Sequence, residues 1–485
     1  MTKKSKKKAA WGDWARAIIY SALYIAFLNW VDAWWGLIVL PFIFDAYVTR
    51  FIPWTWWKDA DNPIVRTVMG WVDAIVFALV AVYFVNVYFF QNYVIPSSSL
   101  EKSLLVGDYL LVSKLSYGPR VPQTPLHMPL CQHTLPLGLG KSYIEWPRWE
   151  YKRVTPKPVK LNDIVVFNYP AGDTIVSNPT YQTEYYSLCY GIGYQLWQQQ
   201  AEMPVPIIDS LTTIQQRMYF QTVYNMGREY IKTYPQNFGN IATRPVDRRE
   251  NYVKRCVGLP GQTLQIKNRV MYLDGKINPD AENVQYKYHV DLRTSYLPAE
   301  VCYELGLRME DVQDMYQTGL IPLTKATKAA LEKQTTYVSS VTPIESREMN
   351  ELYPQNGHTG WTCDNYGPIW IPKKGEKIKL TLENLPIYER PIRVYEGNTL
   401  DVTPEGKIII NGKETTEYTF KMDYYWMQGD NRHCSADSRF WGFVPEDHIV
   451  GKPIIIWWST DADRPWLSGH HIRWSRLFRL VDNIK

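Results

Sequence analysis

Val94-Ile-Pro-Ser-Ser-Ser-Leu100, followed by Leu105-Val-Gly-Asp-Tyr-Leu-Leu-Val-Ser-Lys114, is the stretch around which the chain is organised. It lies just past the last long apolar segment and begins a run that alternates like a strand. Pro96 has a fixed φ and favours an extended residue before it. If residues 95 to 99 are extended, side chains alternate sides, so Ser97 and Ser99 project together and Ser98 points away. Two hydroxyls on one side of a rigid strand, at the exit from a membrane, can act as a nucleophile and its helper. A polar linker after a transmembrane helix is the alternative reading of Ser97-Ser-Ser99 taken alone.

Upstream, residues 16–49 are mostly apolar but interrupted by Asn29 and Asp32, and read as two short spans, about 15–30 and 33–49, or one tilted helix. A longer run, residues 69–93, holds Ala74-Ile-Val-Phe-Ala-Leu-Val-Ala-Val-Tyr-Phe-Val85 without a charge, enough to span a bilayer. Lys3, Lys4, Lys6, Lys7 and Lys8 and the linker with Arg50, Lys58 and Arg66 should both be cytoplasmic. Both are so only if 16–49 enters and returns. Three spans then anchor the chain in the cytoplasmic membrane, and everything after Ile95 is extracytoplasmic. A cleavable signal peptide fits the Trp-rich continuation poorly.

Downstream the pattern is largely β. Gly107–Ser113, Asn162–Asn168 and Ile449–Trp458 are short apolar strands, the first two introduced by turn residues. Asp274-Gly275 and Asn411-Gly412 are two-residue hairpin signals. The expected fold is a mainly β catalytic domain built from residues 95–172, 249–289 and 351–465. The membrane anchor (1–94) precedes it. Two insertions break it: 173–248, with a helical pattern near Ile208–Tyr230, and 290–350, with helix-like Pro298–Met315 and Thr324–Gln334. Pro-rich Gly118–Lys160 shows no regular pattern, and the tail 466–485 carries a basic amphipathic segment, His471–Arg479. That segment reads as a packed terminal helix or as a contact for anionic lipid.

A net charge of +5 on 53 basic and 48 acidic residues is too balanced for nucleic-acid binding, and the basic excess is local. The 20 Trp and 35 Tyr suit a chain with membrane interfaces. Six cysteines without a Cys-x-x-Cys pair indicate neither a zinc ribbon nor a disulfide framework. His433-Cys434 near Asp430 lacks a second ligand pair, so neither metal nor cofactor is expected.

Two further stretches sharpen the reading. Asn251-Tyr-Val-Lys-Arg-Cys-Val-Gly-Leu-Pro-Gly261 sets a lysine inside an apolar strand ending in a Pro-Gly turn. In an extended strand Tyr252, Lys254 and Cys256 share one face while Val253, Arg255 and Val257 share the other. Lys254 is thereby free to enter an apolar pocket with no cation beside it. Its unperturbed pKa near ~10.4 must fall by several units before it can accept a proton, and burial can shift a lysine by ~3–5. A serine hydroxyl needs such a neighbour to attack. Met427-Gln-Gly-Asp-Asn-Arg-His-Cys-Ser-Ala-Asp-Ser-Arg-Phe-Trp-Gly-Phe-Val-Pro445 is a dense polar loop entering an aromatic strand.

In this order, with Ile95-Pro-Ser-x-Ser99 and Gly107-Asp108, these stretches resemble the boxes of the type I signal peptidases, membrane-anchored proteases with a Ser/Lys dyad. The resemblance implies that Ser99 is the nucleophile and Lys254 the general base. It further implies that Ser97 and the Ser99 N–H form the oxyanion hole and that Ser435 hydrogen-bonds and orients the lysine. Asp437 and Arg439 match a supporting ion pair, Asp430 and Asn431 shape the loop, and Arg255 is the second member of the Lys-Arg pair. Ser98 and Leu100 depart from the frequent Gly and Met. The implied activity is removal of signal peptides from exported preproteins; the rival reading is a catalytically inactive, membrane-anchored relative that binds exported chains.

Overall fold

The computed structural model describes residues 9–170, 172, 174–181, 184–199, 206–346, 351–464 and 471–484. The five amino-terminal lysines and residues 466–470 of the tail lie outside them. Helix Trp11–Val31 is followed by a broken apolar segment, Trp34–Thr49, and by helix Pro63–Tyr88. The two long helices are apolar enough to cross a membrane. The last begins earlier than expected because Asn62 caps it, accepting from the Ile64 N–H, with Pro63 in the first helical position. It stops at Tyr88 because Phe90–Val94 is a strand, paired with Asp108–Ser113.

The expected second span, 33–49, is instead a sequence of 3-10, α and π turns. Pro41 removes a helix donor, and the Asp45 carboxylate gathers the Phe51 and Ile52 N–H groups and the Trp54 indole. The segment nonetheless folds back on the first helix. Trp14 meets Phe44 (5.3 Å between ring centroids), Tyr20 meets Tyr47 (5.4 Å), and Arg50 pairs with Asp13 at 2.8 Å. The far ends of the two long helices share an apolar cluster in which Val31 and Tyr88 pack with Val121 and Val154.

The main sheet is antiparallel and runs Phe90–Val94, Asp108–Ser113, Ile449–Ser459, Ile164–Asn168, Asn251–Gly258, Tyr424–Gln428, Val444–Pro445, with Arg479–Leu480 added on Ile449–Ser459. Ile449–Ser459 is the corner. Its later half pairs with Asp108–Ser113 through two register shifts, and its first residues pair with Ile164–Asn168. Such irregularities bend a strand and increase twist, and the sheet curls into a half-barrel. Apolar residues fill both halves: Ile95, Leu100, Leu110 and Ile456 in one cluster, Val165, Phe167, Met427 and Trp441 in the other. The hairpin signals form as expected, with Asp274 and Gly275 at φ 50° and 77° and Asn411 and Gly412 at φ 52° and 77°. Two positive φ values in a two-residue loop match the right-handed twist of the flanking strands.

The first insertion is a helical hairpin, Tyr185–Gln199 against Thr213–Thr233, closed by the strand pair Thr174–Val176 and Ile241–Thr243. The second is not purely helical. Leu320–Thr324, Gln285–Leu292 and Val338–Pro343 form a three-stranded sheet, because Tyr286, Tyr288 and Val290 alternate inward. Strand Gln285–Leu292 thus crosses the expected boundary at residue 290. Pro298–Met315 is split into Ala299–Glu304 and Met309–Thr318, with Gly306 at φ 61° between them. Helix Lys325–Glu332 has the expected Thr324 cap, which accepts from the Thr327 N–H.

The tail is not an amphipathic helix. Trp474–Arg476 is a single 3-10 turn before the strand Arg479–Leu480. Two of its arginines are internal ties: Arg476 holds buried Asp108 through two hydrogen bonds (3.0 and 2.6 Å), and Arg473 donates to the carbonyls of Val106 and Thr460.

Candidate active site

Ser99 comes from just beyond the first strand of the sheet and Lys254 from the fifth. Strands lie about 4.8 Å apart, so in a flat sheet these two strands would be separated by roughly 19 Å. Lys254 Nζ is 2.6 Å from Ser99 Oγ. The half-barrel curl, with the short turn that carries Ser99 inward, closes that distance.

The turn differs from the extended run expected of residues 95–99. The ladder holds through Ile95, whose N–H donates to Asp108 O and whose carbonyl accepts from the Gly107 N–H. Ser98–Leu100 then forms a 3-10 turn, in which Ser99 and Leu100 are buried. Ser97 is extended (φ −137°, ψ 157°) and exposed. Strand parity therefore does not relate Ser97 to Ser99, and the turn sets their directions instead. Leu100 fills the apolar cluster below, which draws the chain inward at this point.

The lysine strand follows parity. Lys254 is 3 % exposed and sits over the Tyr252 ring at 5.6 Å. Burial pushes its amine down to about 8, against the opposing pull of the Asp437 and Asp430 carboxylates. Arg255 points to the other side and clamps Asp430 with two parallel hydrogen bonds of 2.8 and 2.7 Å. Ser103 completes that cluster, donating to Asp430 at 2.6 Å and accepting from Arg255 at 3.3 Å. A lone serine in Lys102-Ser-Leu104 carries no signal for this role in the sequence.

The polar loop after Gln428 is held from within. Arg439 clamps Asp437 at 2.9 and 2.7 Å, and Asp437 also accepts from the Gly429 N–H at 3.1 Å. Both partners are fully buried, so the pair is a rigid internal strut. Asn431 ties the loop to the serine turn, its backbone N–H donating to Ser99 O at 3.0 Å and its side chain to Ser98 O at 3.3 Å. Gly429 is required by contact: a Cβ there would lie 2.2 Å from Ser435 Oγ and 2.6 Å from Ser99 O. Ser435 is thus packed beside the serine turn. Its buried hydroxyl has no hydrogen-bond partner among the described residues, so the bond to Lys254 that the resemblance implies is not made here. The lysine amine is directed at Ser99 instead.

His433 is occupied structurally: its Nε2 meets Asp364 at 2.7 Å and its Nδ1 lies 3.2 Å from the Lys287 N–H. Among the described residues no group of three or more His, Cys, Asp or Glu is placed to hold a metal ion.

Beside the dyad, two strand edges are open. Asn251–Gly258 pairs with Ile164–Asn168 along residues 251–255, whereas the ladder to Tyr424–Gln428 begins only at Arg255. Phe90–Val94 is an edge strand of the sheet. A cavity of about 490 Å3 reaches both strands, with Tyr93, Asn251, Glu250, His127 and Leu130 in its wall. Neither Ser99 nor Lys254 is part of that wall.

The model of the family described as "Signal peptidase, peptidase S26" matches residues 68–338 and 374–458. Signal peptidase I of Buchnera aphidicola (subspecies Acyrthosiphon pisum) is 55 % identical over 249 residues, 50 % of this chain and 60 % of that protein. Signal peptidase I of Haemophilus influenzae is 42 % identical over 71 residues, 14 % of this chain and 20 % of the relative. That of Helicobacter pylori J99 is 33 % identical over 86 residues, 16 % and 30 %. The chain thus spans 60 % or less of the length of these relatives. With the family match running over more than half of its length and through both the serine turn and the lysine strand, the chain belongs to the signal peptidase family, peptidase S26.

Proposed function

We propose that the protein is a membrane-bound endopeptidase that removes signal peptides from exported preproteins by a Ser/Lys dyad. The observation that carries this reading is the 2.6 Å contact between Ser99 Oγ and a buried lysine amine. A neutral Lys254 takes the proton as Ser99 attacks the scissile carbonyl. It returns that proton to the leaving amine, and water then hydrolyses the acyl-enzyme. With its amine at about 8, roughly one molecule in ten carries the neutral base at pH 7, against fewer than one in a thousand for an ordinary lysine.

Ser97 and the Ser99 N–H serve the oxyanion, as in the family. Ser435, packed by Gly429 against the serine turn, orients the lysine once substrate rearranges the site. Asp430 with Arg255, and Asp437 with Arg439, hold the loop. The substrate lies extended between the open edges of Phe90–Val94 and Asn251–Gly258. The apolar helices put the protein in the membrane, with the sheet on the extracytoplasmic side and the catalytic core assembled from 95–172, 249–289 and 351–465.

Cleavage of a preprotein by the purified full chain tests this reading. Ser99→Ala and Lys254→Arg should each lose more than about 10⁴-fold in kcat/KM, since an arginine cannot release its proton at working pH. Unchanged cleavage in either variant refutes the dyad. Binding of preprotein without cleavage by the unaltered chain would favour the inactive relative.

A further inference from the structure

The second insertion grips the loop that carries Ser435. Strand Gln285–Leu292 pairs with Leu320–Thr324 along residues 285–289, but with Val338–Pro343 only from Tyr288 onward. Its edge at residues 285–287 is left open by its own sheet, and the loop fills it. The Gln285 N–H donates to Asp430 O at 2.8 Å, and Gln285 O accepts from the Arg432 N–H at 2.9 Å, a parallel bridge to Asn431. Arg432 meets Asp280 at 2.9 Å beside it. The insertion also reaches the serine side, where Lys102 donates to the Gly306 carbonyl.

In a parallel ladder the next bond would run from the Lys287 N–H to the Arg432 carbonyl. That carbonyl accepts from Arg439 instead, and the chain turns away, the Cys434 N–H donating to Asn431 O at 3.0 Å. The His433 imidazole takes the place of the missing strand, its Nδ1 3.2 Å from the Lys287 nitrogen. A backbone N–H can only donate, so Nδ1 is the acceptor and the ring proton sits on Nε2, which donates to Asp364 at 2.7 Å. Asp364 is in turn held by Arg269, its carboxylate accepting from Nε at 3.1 Å and its carbonyl from the backbone N–H at 2.9 Å. The imidazole side chain is 6 % exposed, with the Tyr286 ring edge-on at 5.4 Å. One ring thus fastens the loop to the insertion through one nitrogen and to the β domain through the other.

We propose that His433 is a positioning residue for the cleavage reaction: it locks the loop Asp430–Ser435 to the open edge of the second insertion's sheet, and so sets where Ser435 and the Ser99 turn stand. Asn431, at the centre of the bridge, holds the carbonyls of Ser98 and Ser99, and Ser435 follows His433 by two residues. A loop that shifts carries both with it. The inference rests on Ser99 and Lys254 being the reacting pair, on which His433 acts through Asn431 and Ser435.

The test measures kcat and KM of the purified full chain on a preprotein for three variants. His433→Asn keeps an acceptor for the Lys287 N–H, because its Oδ1 stands where Nδ1 does, but is too short for Asp364. His433→Gln reaches Asp364 and places no acceptor at Nδ1, and His433→Ala loses both bonds. His433→Ala should lower kcat about 10²-fold, the cost of catalytic groups misplaced by roughly an ångström, with KM unmoved. Asn should recover most of that loss and Gln little, and hydrogen exchange of the Lys287 amide should be fast in Ala and Gln and slow in Asn. An unaltered kcat in His433→Ala, a raised KM in place of the fall in kcat, or an Asn variant no better than Gln each overturns the proposal. If His433→Ala fails to fold, the Asn and Gln variants decide alone, equal kcat values refuting it. If Ser99→Ala cleaves as the unaltered chain does, the dyad reading fails and takes the proposal with it.

Discussion

Lys254 and Arg255 are consecutive residues, 3 % and 7 % exposed, on opposite faces of one strand. Arg255 meets a carboxylate, Asp430, in a two-bond clamp completed by Ser103. Burial works against its charge, and the Asp430 hydrogen bonds overcome that. Lys254 meets a hydroxyl and an aromatic ring, with carboxylates acting on it only at longer range, and burial prevails. A buried cation that is paired becomes structure, and one left unpaired becomes a base. The side chains suit their places: a guanidinium matches a carboxylate in two bonds and stays charged, whereas an ammonium gives up its proton when desolvated.

The largest effect should come from breaking the paired side. Asp430→Asn leaves the Arg255 guanidinium buried without its counter-charge, and should lower unfolding stability by about 3–5 kcal/mol, read as an earlier unfolding midpoint of the detergent-solubilised chain. An unchanged midpoint would mean that Arg255 finds water or another acceptor, and the contrast between the two faces would fail. Ser97→Ala tests the reactive side without touching either cation. It should reduce kcat by about 10²–10³, the usual worth of one oxyanion donor, with KM and the unfolding midpoint unmoved. A change in KM alone would assign Ser97 to binding.

The strand carrying this contrast was readable from alternation alone, since Tyr252, Lys254 and Cys256 keep period two. So were both hairpin turns, whose Asp-Gly and Asn-Gly pairs demand positive φ, and the Thr324 cap. The 3-10 turn at Ser98–Leu100 was not. It forms because Leu100 is pulled into a cluster with Leu110 and with Ile456, the latter more than three hundred positions away. The broken segment Trp34–Thr49 is hidden in the sequence for a related reason: its apolar composition suits a helix, while Asp45 captures backbone donors that follow it in the chain. In the second insertion, helical periodicity was visible but the strand Gln285–Leu292 straddles the boundary at which helices were expected to begin. The composition of the basic tail suits an amphipathic helix, whereas Arg473 and Arg476 serve internal acceptors such as Asp108.

A smaller effect sharpens the comparison from the stability side. An amine near 8 when folded and near 10.5 when unfolded binds its proton more tightly in the unfolded state, so the folded form gains stability as pH rises from about 8 to 10.5. Lys254→Met should therefore be more stable than the unaltered chain at pH 7, by about 3 kcal/mol at most, and should lose that pH dependence. A less stable Met variant would show the amine to be paired after all.

The most direct measurement is the titration of the Lys254 amine itself, followed by NMR on chain carrying 13Cε-labelled lysine, with Lys254→Met to assign the signal. A midpoint near 8 is expected, with an acid limb of kcat/KM at the same midpoint. A lysine titrating near 10.5, as one bathed in solvent does, would leave Ser99 without a base at neutral pH and would contradict the mechanism.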